Sequence, residues 1–434
     1  MDQLMFRCSG NTFCHYTKRC QRACLSFLAY HNLLPDVVTQ KLRLRRASAA
    51  STCSNWTVPR KQQYSDCYLR GVARVQQRFG VGPFPQLNSV RSCYGGVVEE
   101  TTESGLPSPV KQRLRQLPTD VGRALSSESK EDYAPSGDLL RMAEYYFESG
   151  GKLFRPTAVL LMAGACNEAG SISDQQYKVA VVSEMIHTAS LLHDDVIDEA
   201  SRRRSRPSCN VLWGNKKAIL IGDYILAKAT QLLCSIGDAD VIRLLSQVVE
   251  DLVKGELMQL GSGEKTVWSP EERFLRYMAK NYRKTASLLA HSCEATARLA
   301  AAEGGVVGEL AWEYGRHLGL AFQLMDDLLD WIGLSATVGK DTQTDLRSGL
   351  ATAPVLLAAQ QHPELESLIS RRFSGRGDVE KARELVRGSD ALLRTRQLVD
   401  THAQEACRQA QRLPSSPYAH ALIALAQSQL HREK

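Results

Sequence analysis

Two aspartate clusters of the same form constrain the fold of this 434-residue chain more than any other feature. Residues 194–198 read Asp-Asp-Val-Ile-Asp, and residues 326–330 read Asp-Asp-Leu-Leu-Asp. Each cluster ends an apolar stretch with helical spacing, and its first and third aspartates share a helix face because they are four positions apart. Carboxylates this close repel one another unless they are neutralised. The chain must therefore fold so that two acidic helical turns meet counter-ions.

One such cluster is more often a solvated acidic surface than a binding site. Two copies favour a site, because both lie in apolar sequence, where charged side chains need partners. Two acidic turns that face each other across a cavity suit hard divalent cations, and Mg²⁺ typically binds a few carboxylates together with substrate phosphates. The sequence thus predicts Mg²⁺ and a phosphorylated ligand.

Side chains suited to a diphosphate surround both clusters. Arginine forks and lysine ammonium groups are the natural partners of diphosphate oxygens. Taken singly, each is more often a solvated surface charge, but their placement among two metal-type clusters indicates the cationic half of a diphosphate site. The set consists of Lys152, Arg155, Arg203, Arg204, Lys284 and Lys340, with Thr285 and Gln323 beside them.

These motifs occur in the order found in trans-isoprenyl diphosphate synthases, and the chain resembles that family over roughly residues 135–434. Within the family it is most similar to the long-chain enzymes that make the ubiquinone side chain. One departure is Ser205, because family members usually carry glycine after the arginine pair. The resemblance therefore does not predict the conformation of this turn, but the match of the two arginines stands. The matching segments are Gly-Lys-x-x-Arg-Pro at 151–156, His-Asp-Asp-x-x-Asp at 193–198, Arg-Arg at 203–204, Lys-Thr at 284–285, Gln-x-x-Asp-Asp-x-x-Asp at 323–330 and Gly-Lys at 339–340.

The resemblance implies a role for each matched residue. Isopentenyl diphosphate would lie against Lys152, Arg155, His187 and Arg204. The allylic diphosphate would lie against Arg203, Lys284, Thr285, Gln323 and Lys340. Mg²⁺, in a cluster of roughly two or three ions, would be held by Asp194, Asp195, Asp198, Asp326, Asp327 and Asp330. The residues with a direct part in catalysis would be Asp194, Asp195, Asp198, Lys284, Asp326, Asp327 and Lys340.

The implied reaction is head-to-tail prenyl transfer. Mg²⁺ and the cationic side chains stabilise the charge that develops on the departing diphosphate, so the allylic C–O bond ionises. The double bond of isopentenyl diphosphate attacks the resulting cation, and a proton is then lost. Water must be kept from the cation, which fits an enclosed apolar bundle.

Product length is predicted from the residues just before the first cluster. Ala189 and Ser190 lie about one helical turn before Asp194, where a growing chain would run. Both are small, whereas a bulky aromatic side chain there would form a floor, so the sequence predicts a long product. The alternative is that small residues here only allow close helix packing.

The predicted fold is all-α. From residue 137 onward, apolar stretches with helical periodicity alternate with short breaks, and few strand patterns occur. The pattern predicts one large helical bundle, and the resemblance implies the isoprenoid synthase type, around a central cavity. The expected organisation is a leader over residues 1–95, a linker over 96–134 that becomes helical near 110–125, and a catalytic domain over 135–434.

The leader carries the basic charge of the chain. Residues 1–95 contain 14 Lys/Arg against 3 acidic residues, while the whole chain is +7, so the basicity is no sign of nucleic-acid binding. An Arg-rich, Ser/Thr-containing, acid-poor leader is typical of mitochondrial transit peptides. We therefore expect a mitochondrial protein, peripheral to the inner membrane; a secretory signal is the alternative, since residues 23–34 are mildly apolar.

Three other functions remain open at this point. A class I terpene cyclase ionises the same kind of diphosphate but needs no second diphosphate site. An HD-type phosphohydrolase would use His193 and Asp194 but leaves the second cluster without a role. A non-catalytic partner subunit would be expected to lack the aspartates, whereas this chain keeps all six. The resemblance also implies an oligomer, either a homodimer or a heteromer with an aspartate-poor second subunit.

Overall fold

Helices make up almost all the regular structure of this protein, which we describe from a computed structural model. The described residues are 105–126, 137–148, 151–167, 170–261, 268–300, 305–332 and 344–432. Their α-helices are α1 (Ser108–Ser126), α2 (Gly137–Glu148), α3 (Phe154–Cys166), α4 (Asp174–Ile197), α5 (Cys209–Trp213), α6 (Asn215–Cys234), α7 (Ala239–Leu260), α8 (Pro270–Asn281), α9 (Ser287–Ala300), α10 (Gly305–Ile332), α11 (Thr344–Arg347), α12 (Ala353–Ala359), α13 (Glu364–Ser370), α14 (Asp378–Arg387), α15 (Ala391–Gln411) and α16 (Pro417–Ser428). A π-helical turn at Tyr282–Ala286, a 3₁₀ turn at Gln429–His431 and the two-residue strands β1 (Arg202–Arg203) and β2 (Arg206–Pro207) complete the set.

Helices α4 and α10 form the centre of the bundle, and each carries one aspartate cluster at its C-terminal end. Helix α9 packs against both of them. Helix α4 also packs against α3 and α6, and α10 against α15. The two acidic turns thus lie on helices that both pack against α9. The helical architecture confirms the predicted all-α fold.

Sequence signals account for where two of these helices begin. Ser173 caps α4 in a capping box with Gln176, and Ser269 caps α8 in the same way with Glu272. In each case the serine side chain accepts the backbone N–H of the residue three positions later, and that residue's side chain accepts the serine N–H. Both backbone groups would otherwise lack a partner. The sequence alone predicts the second of these starts, because Ser269 is followed by Pro270 and, three residues on, by Glu272. The structure confirms it.

Two glycines let α10 approach its neighbours closely. A Cβ atom on Gly319 would lie 2.5 Å from Ala286 Cα, and one on Gly315 would lie 2.5 Å from the Leu289 carbonyl oxygen. No side chain fits in either gap, so the backbones of α10 and of the segment 286–290 touch directly. The second aspartate cluster is therefore held in a fixed position relative to the π-helical turn.

Part of the predicted linker belongs to the packed bundle. The helix expected near residues 110–125 is present as α1, and Val110, Leu117, Val121 and Leu125 on one of its faces are buried in the main core. The predicted leader, residues 1–95, lies outside the described residues. Among the helices that are described, none has the length and apolarity needed to span a bilayer.

Candidate active site

The three aspartates of the first cluster face in two directions. Asp195 is only 1% exposed, and its carboxylate accepts hydrogen bonds from the Tyr146 hydroxyl and from Arg203, whose Nε lies 3.0 Å from Asp195 Oδ1. Asp194 is partly exposed and Asp198 is exposed. The first and third carboxylates thus face outward, while the second is held inside the bundle.

The second cluster repeats this arrangement. Asp327 is 4% exposed and accepts hydrogen bonds from the Tyr277 hydroxyl and from Gln323 Nε2, at 2.9 Å. Asp326 lies 2.7 Å from Arg432, near the C-terminus. Asp330 accepts backbone N–H groups from Thr344 and Asp345 at the start of α11, at 3.1 and 3.3 Å. The middle carboxylate is again the buried one.

The π-helical turn links the two clusters through adjacent residues. Lys284 forms an ion pair with Glu256 of α7, and these two side chains are the strongest charged influences on Asp194 and Asp198. The next residue, Thr285, donates its hydroxyl to Gln323 Oε1 at 2.8 Å, and Gln323 in turn contacts the second cluster. π-helical turns occur frequently at functional sites. The turn therefore connects the first aspartate cluster to the second.

A separate cationic group lies between α3, α4 and the β1–β2 hairpin. Burial lowers the pKa of Arg155, and the nearby Glu184 carboxylate opposes that change. Burial, and then three neighbouring arginines, hold the pKa of the His187 imidazole well below its usual range. His187 is therefore neutral at physiological pH, in a positive surrounding that suits an anionic ligand.

Gly151 makes room for Arg204 in this group. A Cβ atom on Gly151 would lie 3.0 Å from both terminal nitrogens of the Arg204 guanidinium. Gly151, Arg204 and Glu184 line one narrow cavity, together with Tyr146. Of the four residues predicted to bind isopentenyl diphosphate, Arg155, His187 and Arg204 belong to this group, and Lys152 is exposed next to it in the chain.

The remaining predicted residues have mixed placements. Arg203 pairs with Asp195, and its side chain is partly exposed. Lys340 lies outside the described residues. Ala189 is completely buried in the core, whereas Ser190, directly one turn before Asp194, is partly exposed and donates its hydroxyl to the His187 carbonyl at 2.8 Å.

Sequence reasoning missed Tyr146, Tyr277, Glu256, Arg432 and Asp345. All five lie outside α4 and α10, so no local pattern marks them. Burial, together with the neighbouring Asp327 and Asp330 charges, raises the pKa of Asp345 to about 7. The second cluster thus has an additional carboxylate beside it.

Ser205 adopts the conformation for which glycine is normally needed. Strands β1 and β2 pair antiparallel, and the two residues between them, Arg204 and Ser205, have φ of 49° and 65°. Positive φ at both central residues defines the I′ hairpin turn, which favours Asn-Gly and similar pairs. The turn forms despite the missing glycine, and both arginines keep their places in the hairpin.

Ser205→Gly should raise the free energy of unfolding by about 1 kcal/mol, because the left-handed conformation costs an L-residue about that much and glycine almost nothing. Urea unfolding would measure it. Ser201→Gly is the matched control, since Ser201 lies in the same loop and is not among the residues with positive φ; this change should slightly destabilise. Equal effects at the two serines would contradict the strain at Ser205.

The donor set fits Mg²⁺, although within the described residues no three His, Cys, Asp or Glu side chains already converge on one point. Carboxylates are the ligands that Mg²⁺ prefers. The pKa of Asp194 is raised to about 6: burial raises it most, Lys284 opposes that change, and the Glu256 and Asp198 charges add to it. A bound divalent cation reverses this effect, because its positive charge favours the ionised form of the carboxylates around it.

Binding of Mg²⁺ with inorganic diphosphate should weaken as the pH falls through about 6. Asp194, whose pKa is about 6, takes up a proton below that value, and a protonated carboxyl must lose the proton to bind the cation. Calorimetric titrations one pH unit below and above this value would measure the effect. Asp194→Asn should make the pH dependence shallower and leave the part that comes from protonation of diphosphate itself; an unchanged dependence would exclude Asp194 as a contributor.

Comparisons with known proteins show which family the chain is similar to. A family model described as polyprenyl synthetase matches residues 137–386. A human all-trans-polyprenyl-diphosphate synthase is 48% identical over 309 residues, which cover 70% of this chain and 73% of the relative. Subunit 1 of the decaprenyl-diphosphate synthase of Schizosaccharomyces pombe is 37% identical over 359 residues, with coverage of 77% and 93%.

Solved structures show the same similarity. A decaprenyl diphosphate synthase from Rhodobacter capsulatus superposes with a TM-score of 0.67 at 29% identity, covering 77% of this chain and all of the other. A polyprenyl synthase from Caulobacter crescentus, complexed with calcium and isoprenyl diphosphate, superposes with a TM-score of 0.65 at 30% identity, with coverage of 77% and 99%.

Proposed function

The chain belongs to the polyprenyl synthetase family and is a long-chain trans-prenyltransferase, and from this we propose that its two aspartate clusters serve one active site. There an allylic diphosphate, such as farnesyl or geranylgeranyl diphosphate, is extended by successive isopentenyl diphosphates. The product is a long all-trans polyprenyl diphosphate for the ubiquinone side chain. The observation that supports the single site most is the Lys284–Thr285 turn: the charge of Lys284 acts on the first cluster, and the Thr285 hydroxyl bonds Gln323, which donates to Asp327 of the second.

In this proposal the two diphosphates have separate places. The allylic diphosphate lies between the outward-facing aspartates, with Lys284 as its cationic partner. Isopentenyl diphosphate lies at Arg155, His187 and Arg204, where the neutral imidazole donates a hydrogen bond among the positive charges. Bound Mg²⁺ would supply charge stabilisation for the departing diphosphate.

The chain's own residues then act on charge and water. As the allylic C–O bond breaks, its electron pair leaves with the diphosphate, and Lys284 stabilises that negative charge. The double bond of isopentenyl diphosphate forms the new C–C bond, and the released diphosphate accepts the proton that is lost. Buried apolar side chains of α4, including Ala189 and Leu192, keep water from the cation.

An incubation with farnesyl diphosphate, labelled isopentenyl diphosphate and Mg²⁺ tests this function. We expect a long all-trans polyprenyl diphosphate. A cyclised product would favour a terpene cyclase, and phosphate release alone would favour a phosphohydrolase. Absence of turnover, even with a second subunit present, would favour a non-catalytic role.

We also propose that the enzyme works as an oligomer, a homodimer or a heteromer with an aspartate-poor second subunit. Large apolar side chains are exposed on α6 and α7, with Leu220 at 63% and Leu257 at 57%. Exposed apolar side chains in this number suggest a protein–protein contact. Light scattering should give a lower mass for a variant with Leu220→Glu and Leu257→Glu. Val306→Glu, at an equally exposed valine on α10, should leave the mass unchanged.

We propose that the protein is mitochondrial and that it associates peripherally with the inner membrane. Relatives described as probable mitochondrial hexaprenyl pyrophosphate synthases support the first part. The Arg-rich residues 1–95 would direct import. Fusion of these residues to a fluorescent reporter tests this: mitochondrial signal is expected, and secretion or a cytosolic signal would contradict it. Sonication of mitochondria in low salt should release a soluble matrix protein but leave a peripheral protein with the membranes, from which carbonate should then strip it.

A further inference from the structure

Each aspartate cluster buries its second carboxylate against a tyrosine from a different helix. Tyr146 of α2 donates its hydroxyl to Asp195, and Tyr277 of α8 donates its hydroxyl to Asp327. Both tyrosines are themselves buried, at 4% and 5% exposure. The two contacts are equivalent in position although the four residues come from four separate helices.

Helix geometry explains why the second carboxylate differs from its neighbours. Successive residues on an α-helix point about 100° apart, whereas residues four apart nearly coincide. If the first and third aspartates of a cluster face the ligand, the second points sideways into the bundle. Asp194 and Asp198 are indeed more exposed than Asp195, and Asp326 and Asp330 more than Asp327.

We propose that Tyr146 and Tyr277 are positioning residues of the active site. Each holds the second carboxylate of a cluster inside the bundle and thereby fixes the rotation of α4 or α10 about its axis, so that the first and third carboxylates face the metal-bound diphosphate. This rests on the proposed function. Asp195 and Asp327 are then anchors that act through their neighbours rather than ligands of Mg²⁺.

The two anchors differ in how much they depend on their tyrosines. Asp195 also pairs with the charged Arg203, at 3.0 Å, and Tyr146 itself accepts the Cys209 backbone N–H at 3.4 Å. The other hydrogen-bond partners given for Asp327 are both neutral, the Gln323 amide and the Ala353 backbone N–H, and Lys280 acts on it through charge alone. A charged partner retains a buried carboxylate better than a neutral one. Loss of the hydroxyl should therefore matter more at Tyr277 than at Tyr146.

Tyrosine-to-phenylalanine variants test the proposal, because they remove one hydroxyl and keep the packing. Tyr277→Phe should weaken the binding of Mg²⁺ with inorganic diphosphate by about tenfold, the lower range for residues that orient metal ligands, and Tyr146→Phe by less. Calorimetry measures this without turnover. In steady-state assays kcat should fall more than KM for isopentenyl diphosphate rises, since that substrate binds elsewhere.

Tyr314→Phe is the matched control. Tyr314 is completely buried, and its hydroxyl donates to the Leu422 carbonyl at 2.9 Å, far along α10 from the aspartates. All three variants should lose similar stability, but Tyr314→Phe should bind Mg²⁺ and diphosphate as the wild type does. If Tyr146→Phe and Tyr277→Phe bind like Tyr314→Phe, the positioning role is overturned.

A second pair of variants tests the anchors directly. Asp327→Asn keeps a side chain that accepts the Tyr277 hydrogen bond, so it should retain much more Mg²⁺–diphosphate binding than Asp326→Asn. Equal loss in the two variants would make Asp327 a ligand and overturn the proposal. If the wild type binds Mg²⁺ and diphosphate but makes no polyprenyl product, the proposed function fails while these binding comparisons still decide the role of the tyrosines.

Discussion

Asp194→Asn and Asp326→Asn should each lower kcat for prenyl transfer by about 1000-fold, through loss of one metal-facing charge in a site that stabilises a departing diphosphate. The two residues are the partly exposed first aspartates of their clusters. Asparagine has the same shape, so the effect reports charge rather than packing. Labelled isopentenyl diphosphate incorporation measures the rate. Asp240→Asn, which changes an exposed aspartate paired with Arg243, is the matched control and should retain full activity.

The same change at Asp194 should not destabilise the metal-free protein. Burial raises the pKa of Asp194 to about 6, so the native state holds that proton more tightly than the unfolded chain does. The free energy of unfolding therefore falls as the pH rises from the pKa of Asp194 in the unfolded chain to its pKa of about 6 in the native state. An asparagine, which does not titrate, avoids this loss. Above that pH the variant should be at least as stable as the wild type without Mg²⁺. An inactive but unfolded variant would contradict the assignment of Asp194 to the site.

Ser190→Phe should convert the enzyme from a long product to products of a few isoprene units. Ser190 lies one turn before Asp194 on the same face of α4 and is partly exposed, so a phenylalanine ring there would lie in the path of the growing chain. Chromatography of the dephosphorylated products measures chain length. Ser190→Ala removes the same hydroxyl contact to His187 without adding bulk, and it should keep the long product.

Ala189 offers a less clear test of product length. It is completely buried in the core, so Ala189→Phe would overpack the bundle at a cost of about 1–3 kcal/mol. A shortened product from Ser190→Phe with normal total incorporation would support the prediction. An unchanged long product from a folded Ser190→Phe variant would mean that the chain does not pass this position.

The sequence was sufficient to predict much of the architecture. Helical periodicity indicated an all-α bundle, and the capping box at Ser269 marked the start of α8 correctly. The four-residue spacing also indicated which aspartates share a face. These features are local: each depends on residues within one or two turns of one helix.

The contacts that hold the second aspartate of each cluster could not be predicted from the sequence. We expected all three members of each cluster to bind metal, yet the 100° step between neighbours already separates Asp195 from Asp194. Its partners Tyr146 and Arg203 lie 49 and 8 residues away along the chain. Tertiary packing alone determines that these side chains meet, so the metal role of the second aspartates stays a prediction, which the comparison of Asp327→Asn with Asp326→Asn tests.

The π-helical turn at Tyr282–Ala286 affects how this chain can gain or lose length. Such a turn closes each hydrogen-bonded ring with one more residue than an α-helix uses, so it is equivalent to a single-residue insertion. Deleting one residue here would restore a regular helix and remove the cost of the irregular turn. It would also rotate Lys284 by about 100° relative to α9, away from one of the two clusters that the turn now joins. A chain one residue shorter at this position should therefore have a more regular helix but lose the connection between its two aspartate clusters.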